Sequence, residues 1–385
     1  RGHDRLARRP GVSFANRAVV VLRTLSMLGV CVALIGCAGL DAPVEPEDPV
    51  EAAEAYVDDA RVRRAALEAS VAVADTPYGD ERLAHYSLGG AGIDDPWMDW
   101  DLLPVLARGP VRRLRVPERQ GDAIPEPFEA EGFVDDVGEL DGLDDYVRAG
   151  RVAFELCPIQ IDSRYQRLRT SAEYARSFGL HVTEDGEVRG VVEERMSDGR
   201  WLVAITCAAC HSSSAPDGTY HPGLSSAGWR IAELLGAPIW RPGTMDVTAD
   251  EVWNPVRAAD LRPLALQVRM HHTGNLANGR IARMVRIETL IASHYDFERR
   301  PNRTVVAAMA LYLESLVDQL PEPDWDSEGA RAFARSCANC HQGAAMAGPP
   351  VSVAEVGTDP AATIGGARGT GGYRAPSLLG AGMRE

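Results

Sequence analysis

The chain contains no lysine; all 40 of its basic residues are arginine. Schiff-base and P-loop chemistry are therefore unavailable, and any basic patch that docks a partner must be built from arginine. Charge of positive sign is also scarce beyond the N-terminus. Residues 1–36 carry six arginines and one acid, leaving 34 arginines against 54 acids, a net charge of −20. That balance excludes a nucleic-acid binder. Apart from the N-terminal segment no long apolar run is present, and an apolar fraction of 45% with 25% charged residues describes a globular protein, not a polytopic membrane protein or a disordered chain. A disulfide framework is absent too. Of the seven cysteines, four lie in two Cys-x-x-Cys-His motifs, Cys31 and Cys37 lie in the N-terminal apolar stretch, and Cys157 stands alone as a small buried apolar residue.

What is present begins with an export signal. Arg17 and Arg23 precede an apolar run over 24–36, which suits a signal h-region and falls short of the roughly 20 residues a membrane span needs. It ends Leu34-Ile35-Gly36-Cys37, which resembles a bacterial lipobox. The resemblance implies a mature chain starting at acylated Cys37, and Ala38, not an acid, after it implies the outer membrane. The expected location is thus the periplasm or the cell surface, with the membrane reached through a lipid anchor. Residues 37–57, acidic and proline-rich, read as a tether.

Residues 51–74 are alanine-rich and read as a candidate helix, the stretch 75–142 carries no clear period, and 58–150 is left unassigned as a domain. The pattern predicts a helix over 163–178, a hairpin punctuated by Asp198-Gly199, and amphipathic helices over 281–294 and 303–320. Pro321-Glu-Pro-Asp324 reads as a linker, followed by a short helix over 328–336 capped by Asp326 or Ser327. The expected fold class is mainly α, with cytochrome c-like haem domains and a small β-hairpin element before the first motif. A first haem c domain is placed at 151–320 and a second, incomplete one at 321–385. The chain stops in Ser377-Leu-Leu-Gly-Ala-Gly-Met383 and two further residues without closing a domain, as a C-terminally truncated fragment would.

The chemistry lies in Cys207-Ala-Ala-Cys210-His211 and Cys337-Ala-Asn-Cys340-His341. In this motif two thiols add to the haem vinyl groups and the adjacent histidine folds beneath the iron. One such motif arises by chance about 0.003 times in a chain of this composition. A zinc ribbon would space its two Cys-x-x-Cys units by about 15–20 residues, and a thioredoxin-like dithiol usually lacks the histidine. Two covalently bound haem c groups are therefore expected. Cys207, Cys210, Cys337 and Cys340 would attach them, and His211 and His341 would ligate iron, each with its other ring nitrogen held by an acceptor. Sixth-ligand candidates for the first haem are Met245, His271 and His272, or an open position. For the second, Met346 is too close to His341 to reach the opposite face, which leaves Met383. His181 reads as a surface or pocket residue and Met284 as core. Trp201, Trp229, Trp240 and Trp253 read as core aromatics or as the lining of the first haem pocket.

Several further stretches carry a family resemblance: Arg241-Pro-Gly-Thr-Met-Asp-Val247, Leu311-Tyr-Leu-Glu-Ser-Leu316, the second motif, Gly357-Thr-Asp-Pro360 and Tyr373-Arg-Ala-Pro-Ser-Leu378. With them the chain from about residue 160 onward resembles the di-haem superfamily of bacterial cytochrome c peroxidases, methylamine-utilisation di-haem enzymes and rubber oxygenases. The approach to Cys207 is more similar to the rubber oxygenases. In the superfamily the Thr-Asp-Pro and Pro-Ser-Leu elements run over the haem and precede a distal methionine, which here would fall after Glu385. The resemblance implies a peroxidase- or oxidase-like oxidoreductase acting on peroxide or oxygen, one haem relaying electrons to the other. No acid or glutamine matches the family's peroxide-cleaving residue, so no catalytic residue is assigned. The alternative is an electron-transfer cytochrome with both irons six-coordinate, whose acidic surface meets a basic redox partner protein.

Overall fold

Asp48 opens the first helix, α1 (Pro49–Asp58), by accepting hydrogen bonds from the amides of Val50 at 2.8 Å and Glu51 at 3.0 Å. The computed structural model describes residues 45–71, 100–123, 137–215, 217–236, 240–245, 255–295, 298–364 and 369–383. The expected signal peptide over 1–36, Cys31, the lipidation site Cys37 and Trp253 lie outside the described residues. The tether expectation fails over its second half. Ala52, Ala53 and Tyr56 of α1 are fully buried, because the acids of this stretch fall on the opposite face of the helix.

Helix α2 (Ala60–Val71) and α1 share one core with two later helices, α6 (Arg280–Ser293) and α7 (Arg303–Ser315). Between them in sequence lies α3 (Leu143–Leu156), which crosses α7 at very close range. A Cβ at Gly150 would stand 2.0 Å from the Ala308 carbonyl oxygen and 2.7 Å from Tyr312 Cβ. Glycine alone allows that approach. The crossing also removes the expected domain boundary at 150/151, which would cut α3 in half while Tyr146 and Phe154 of that helix are both buried.

A four-stranded antiparallel sheet packs beside these helices, in the order β1 (Val111–Arg115), β3 (Glu187–Arg195), β4 (Trp201–Ile205), β2 (Gln160–Ile161). The β3–β4 hairpin turns at Gly199, with Arg195 opposite Trp201 and Val191 opposite Ile205. The expected helix over 163–178 is instead a 3-10 turn, Ser163–Arg169, and a separate helix α4 (Ala172–Ser177). Ser171 interrupts it by capping α4, accepting from the Tyr174 amide at 3.0 Å.

The mainly α expectation is overturned. The described residues are 41% helical and 16% strand, with one four-stranded and four two-stranded sheets among them. The reason lies in charge. Strand β1 is Val-Arg-Arg-Leu-Arg, held to the glutamates of β3 by Arg112–Glu193 at 2.6 Å and Arg113–Glu187 at 2.8 Å. Arg112 also lies over the Trp201 ring at 4.2 Å. Glu187, Glu193 and Glu194 are all buried, so half of this sheet is written in ion pairs and escapes a hydrophobic-period reading. Among the described residues no helix is long and apolar enough to cross a membrane.

Candidate functional site

The first motif forms a single helical turn, α5 (Cys207–His211), placed where β4 ends. Thr206, fully buried, ties it to the sheet: its amide and hydroxyl both donate to the Gly190 carbonyl, at 2.9 and 3.2 Å. Gly190 has φ +74°, and a Cβ there would stand 2.2 Å from the Ala209 nitrogen. The motif can rest on β3 only because residue 190 is glycine. A glycine inside a valine-rich strand was the sequence signal for this close approach.

The two thiols of α5 enter different parts of the interior. Cys207 Sγ lies 3.6 Å from the Met309 sulfur of α7, while Cys210 packs in the cluster of Val191, Ile205 and Trp229. Burial, reinforced by neighbouring Cys157, pushes the Cys207 thiol up to about 12; burial and Cys207 push Cys210 up as well. A redox dithiol needs a depressed thiol, so this environment does not suit one. Cys157 is buried, in line with its packing role.

Half-buried His211 directs Nδ1 to the carbonyl oxygen of Ala259 at 2.8 Å. A carbonyl can only accept, so the proton sits on Nδ1 and the lone pair on Nε2, which has no hydrogen-bond partner among the described residues. Burial holds the imidazole below its ordinary value and so keeps it neutral. Nearby, the loop at Ser225 and Ser226 is fixed by Ser226 N–H to Cys210 O at 3.0 Å and Ser225 Oγ to Ala258 O at 2.6 Å.

The second motif repeats this arrangement on another scaffold. Helix α8 (Glu328–Ser336), capped by Ser327 accepting from Ala330 N–H at 3.1 Å, leads straight into Cys337. The turn closes through Cys340 N–H and His341 N–H, both to Cys337 O, at 3.1 and 3.0 Å. His341 Nδ1 donates to the Met346 carbonyl at 3.1 Å, again leaving Nε2 without a partner among the described residues. Met346 adopts φ +46°, a left-handed conformation costly for a bulky residue, and this aims its carbonyl at His341. No residue of α8 is buried; the Phe333 ring lies near the Trp325 ring, at 6.2 Å between centroids.

The sixth-ligand candidates are dispersed. His271, at φ +63°, has both nitrogens engaged: Nδ1 with Asn275 Oδ1 at 2.9 Å, and Nε2 accepting from Arg286 Nε at 3.0 Å. Burial and Arg286 bring it down to about 3. His272 stacks on Tyr373 at 5.8 Å, and its carbonyl accepts from Arg374 N–H at 2.7 Å, which brings it to the second motif's module. Met245 packs against the cluster that contains Cys210. Met383 Sδ accepts from Arg262 Nη1 at 3.0 Å. Met284 is core, as expected, and Trp201 is engaged with Arg112.

The donor set at each motif, two cysteine thiols and an imidazole whose Nδ1 is held by a backbone carbonyl, is chemically that of a c-type haem site. In the Cys210 cluster the Trp229 indole N–H and the Tyr174 hydroxyl are buried donors without a hydrogen-bond partner among the described residues. Among the described residues no group of three or more His, Cys, Asp or Glu side chains converges as a metal site. Neither Ala259 nor Met346 was expected from the sequence as the acceptor for a motif histidine, and no packing role was expected of Gly190. No known protein family, curated protein or solved structure matches the chain.

Proposed function

We propose that the chain is a di-haem c-type cytochrome, exported and anchored by lipid at Cys37. Within that class we infer a peroxidase- or oxidase-like oxidoreductase in which one haem relays electrons to the other. The observation that carries the reading is the matched state of the two motif histidines. Each has Nδ1–H donated to a backbone carbonyl, at 2.8 and 3.1 Å, and Nε2 as the remaining lone pair. An axial ligand needs that tautomer and that orientation, and a carbonyl acceptor raises its basicity.

Haem, when bound, supplies one-electron iron chemistry and, where the sixth position is open, a site for peroxide or oxygen. The chain's own residues do the rest. Cys207 with Cys210, and Cys337 with Cys340, hold the two macrocycles. Ala259 and Met346 fix the histidine planes, and Trp229 offers a donor at the first. Two of the sixth-ligand candidates are engaged elsewhere, His271 through both nitrogens with Asn275 and Arg286, and Met383 through its sulfur with Arg262. Met245, packed by the Cys210 cluster, favours the second reading, an electron carrier with a six-coordinate first iron and an acidic surface for a basic partner.

The test is the reduced absorption spectrum of the haem-matured chain with and without carbon monoxide, with c-type haems counted as the pyridine derivative. Two haems, one of them binding carbon monoxide, is the expected result. Two unreactive haems would make the protein an electron carrier, and no covalent haem would remove the reading. Replacing His211 with Ala should abolish the normal spectrum of the first haem and leave the second.

A further inference from the structure

Arg262 is completely buried and sits between the two motifs. Its guanidinium grips Asp260 through Nε to Oδ1 at 3.0 Å and Nη2 to Oδ2 at 2.7 Å, and its own amide adds a bond to Oδ1 at 3.1 Å. Asp260 follows Ala259 directly, and Ala259 is the carbonyl that takes the proton of His211. The remaining arm, Nη1, reaches the sulfur of Met383.

Met383 ends a short coil of chain tied to the second motif. Its amide donates to Gly380 O at 3.0 Å, and Ala381 N–H donates to Leu378 O at 3.1 Å. Leu378 N–H donates to the Met346 carbonyl at 3.3 Å, the acceptor already used by His341, and Ser377 Oγ is fixed on Ala345 O at 2.5 Å. The arginine is also fitted from two sides by absent side chains. A Cβ on Gly223 would lie 2.9 Å from Arg262 Cγ, and one on Gly380 3.0 Å from Nη2. Both glycines have positive φ, +85° and +63°.

We propose that Arg262 is a positioning residue that joins the carbonyl acceptors of the two motif histidines, so that a change of charge at one histidine is felt at the other. The inference rests on the di-haem reading. Loss of an electron from the group on His211 would make its imidazole a stronger donor and draw Ala259 toward it. Asp260 moves with Ala259, and a planar fork gripping a carboxylate at two points passes that displacement on more faithfully than a single flexible bond.

Neutralising either member of the buried Arg262–Asp260 pair risks misfolding, so the variants are Arg262→Lys, which keeps the charge but not the planar fork, and Met383→Leu, which keeps the volume but not the sulfur acceptor. The readout is the electron paramagnetic resonance spectrum of the ferric haem at His341, taken with the other haem poised first ferric and then ferrous. The native protein should show a shift between the two states, and both variants should lose most of it. No shift in the native protein overturns the proposal, as does an undiminished shift in either variant. A native chain that carries no covalent haem refutes the di-haem reading itself, a result read directly from the haem count.

Discussion

On the last turn of α3, Glu155 is turned inward, 8% exposed, and its Oε2 has no hydrogen-bond partner among the described residues. Burial pushes its carboxyl above the ordinary range; Arg189 and Arg113 oppose this, and Glu187 adds to it. The folded protein therefore holds this proton more tightly than the unfolded chain does. Stability from Glu155 is full below the ordinary glutamate range and is lost as pH rises through the raised native value. Glu155→Gln abolishes that titration. Urea denaturation from the acid range to about pH 8 should find the variant's stability relative to the native protein increasing as pH rises through the raised native value. Equal pH dependence of the two proteins would contradict it. At this scale the motif cysteines and histidines are legible in sequence because their spacing is the chemistry. The acceptor for His211 is not. It is a backbone carbonyl 48 residues away, and a carbonyl leaves no mark on residue identity.

Among the elements, the docking of α5 on β3 turns on one missing Cβ. Gly190→Ala would force a side chain to within 2.2 Å of the Ala209 nitrogen at φ +74°, so strain and overlap act together. The expected cost is roughly 2–4 kcal/mol in global stability, and the haem-matured variant should lose the first haem while keeping the second. Differential scanning calorimetry and haem counting check the two halves of this expectation. An unchanged melting temperature with two haems attached would mean that the strand yields without cost. Helix α8 was legible from its Ser327 cap and from the linker before it. Strand β1 was not, because its partner-facing residues are arginines whose preference for a strand exists only opposite Glu187 and Glu193. Pairing that distant in sequence lies outside any local window, and the mainly α expectation failed for that reason.

Across the whole molecule, the N-terminal helices are joined to the rest by a buried ionic network that spans the sequence-based domain boundaries. Tyr56 of α1 donates its hydroxyl to Glu288 of α6, which also accepts from Arg303 of α7 at 3.0 Å. Arg303 continues to Asp101 at 2.6 Å, and Asp101 is held by Arg63 of α2 at 2.7 Å. Glu288 is wholly buried, and burial raises its carboxyl despite Arg303. Arg303→Met would remove the cation bonded to Glu288 and leave Asp101 bonded to Arg63, with Arg300 acting on both carboxylates through space. A stranded buried charge costs about 3–5 kcal/mol, but protonation of Glu288 would limit the loss at low pH. Since the variant raises the native carboxyl further, its stability should fall increasingly below that of the native protein as pH rises from the acid range toward neutrality. Adding Glu288→Gln to Arg303→Met should recover most of the neutral-pH deficit and flatten its pH dependence. Urea denaturation of the native protein, the single variant and the double variant across that range measures both effects. A deficit independent of pH, or one that the second substitution fails to reduce, would mean that lost packing of the arginine stem governs the coupling of α1 and α2 to the core, not the buried charge.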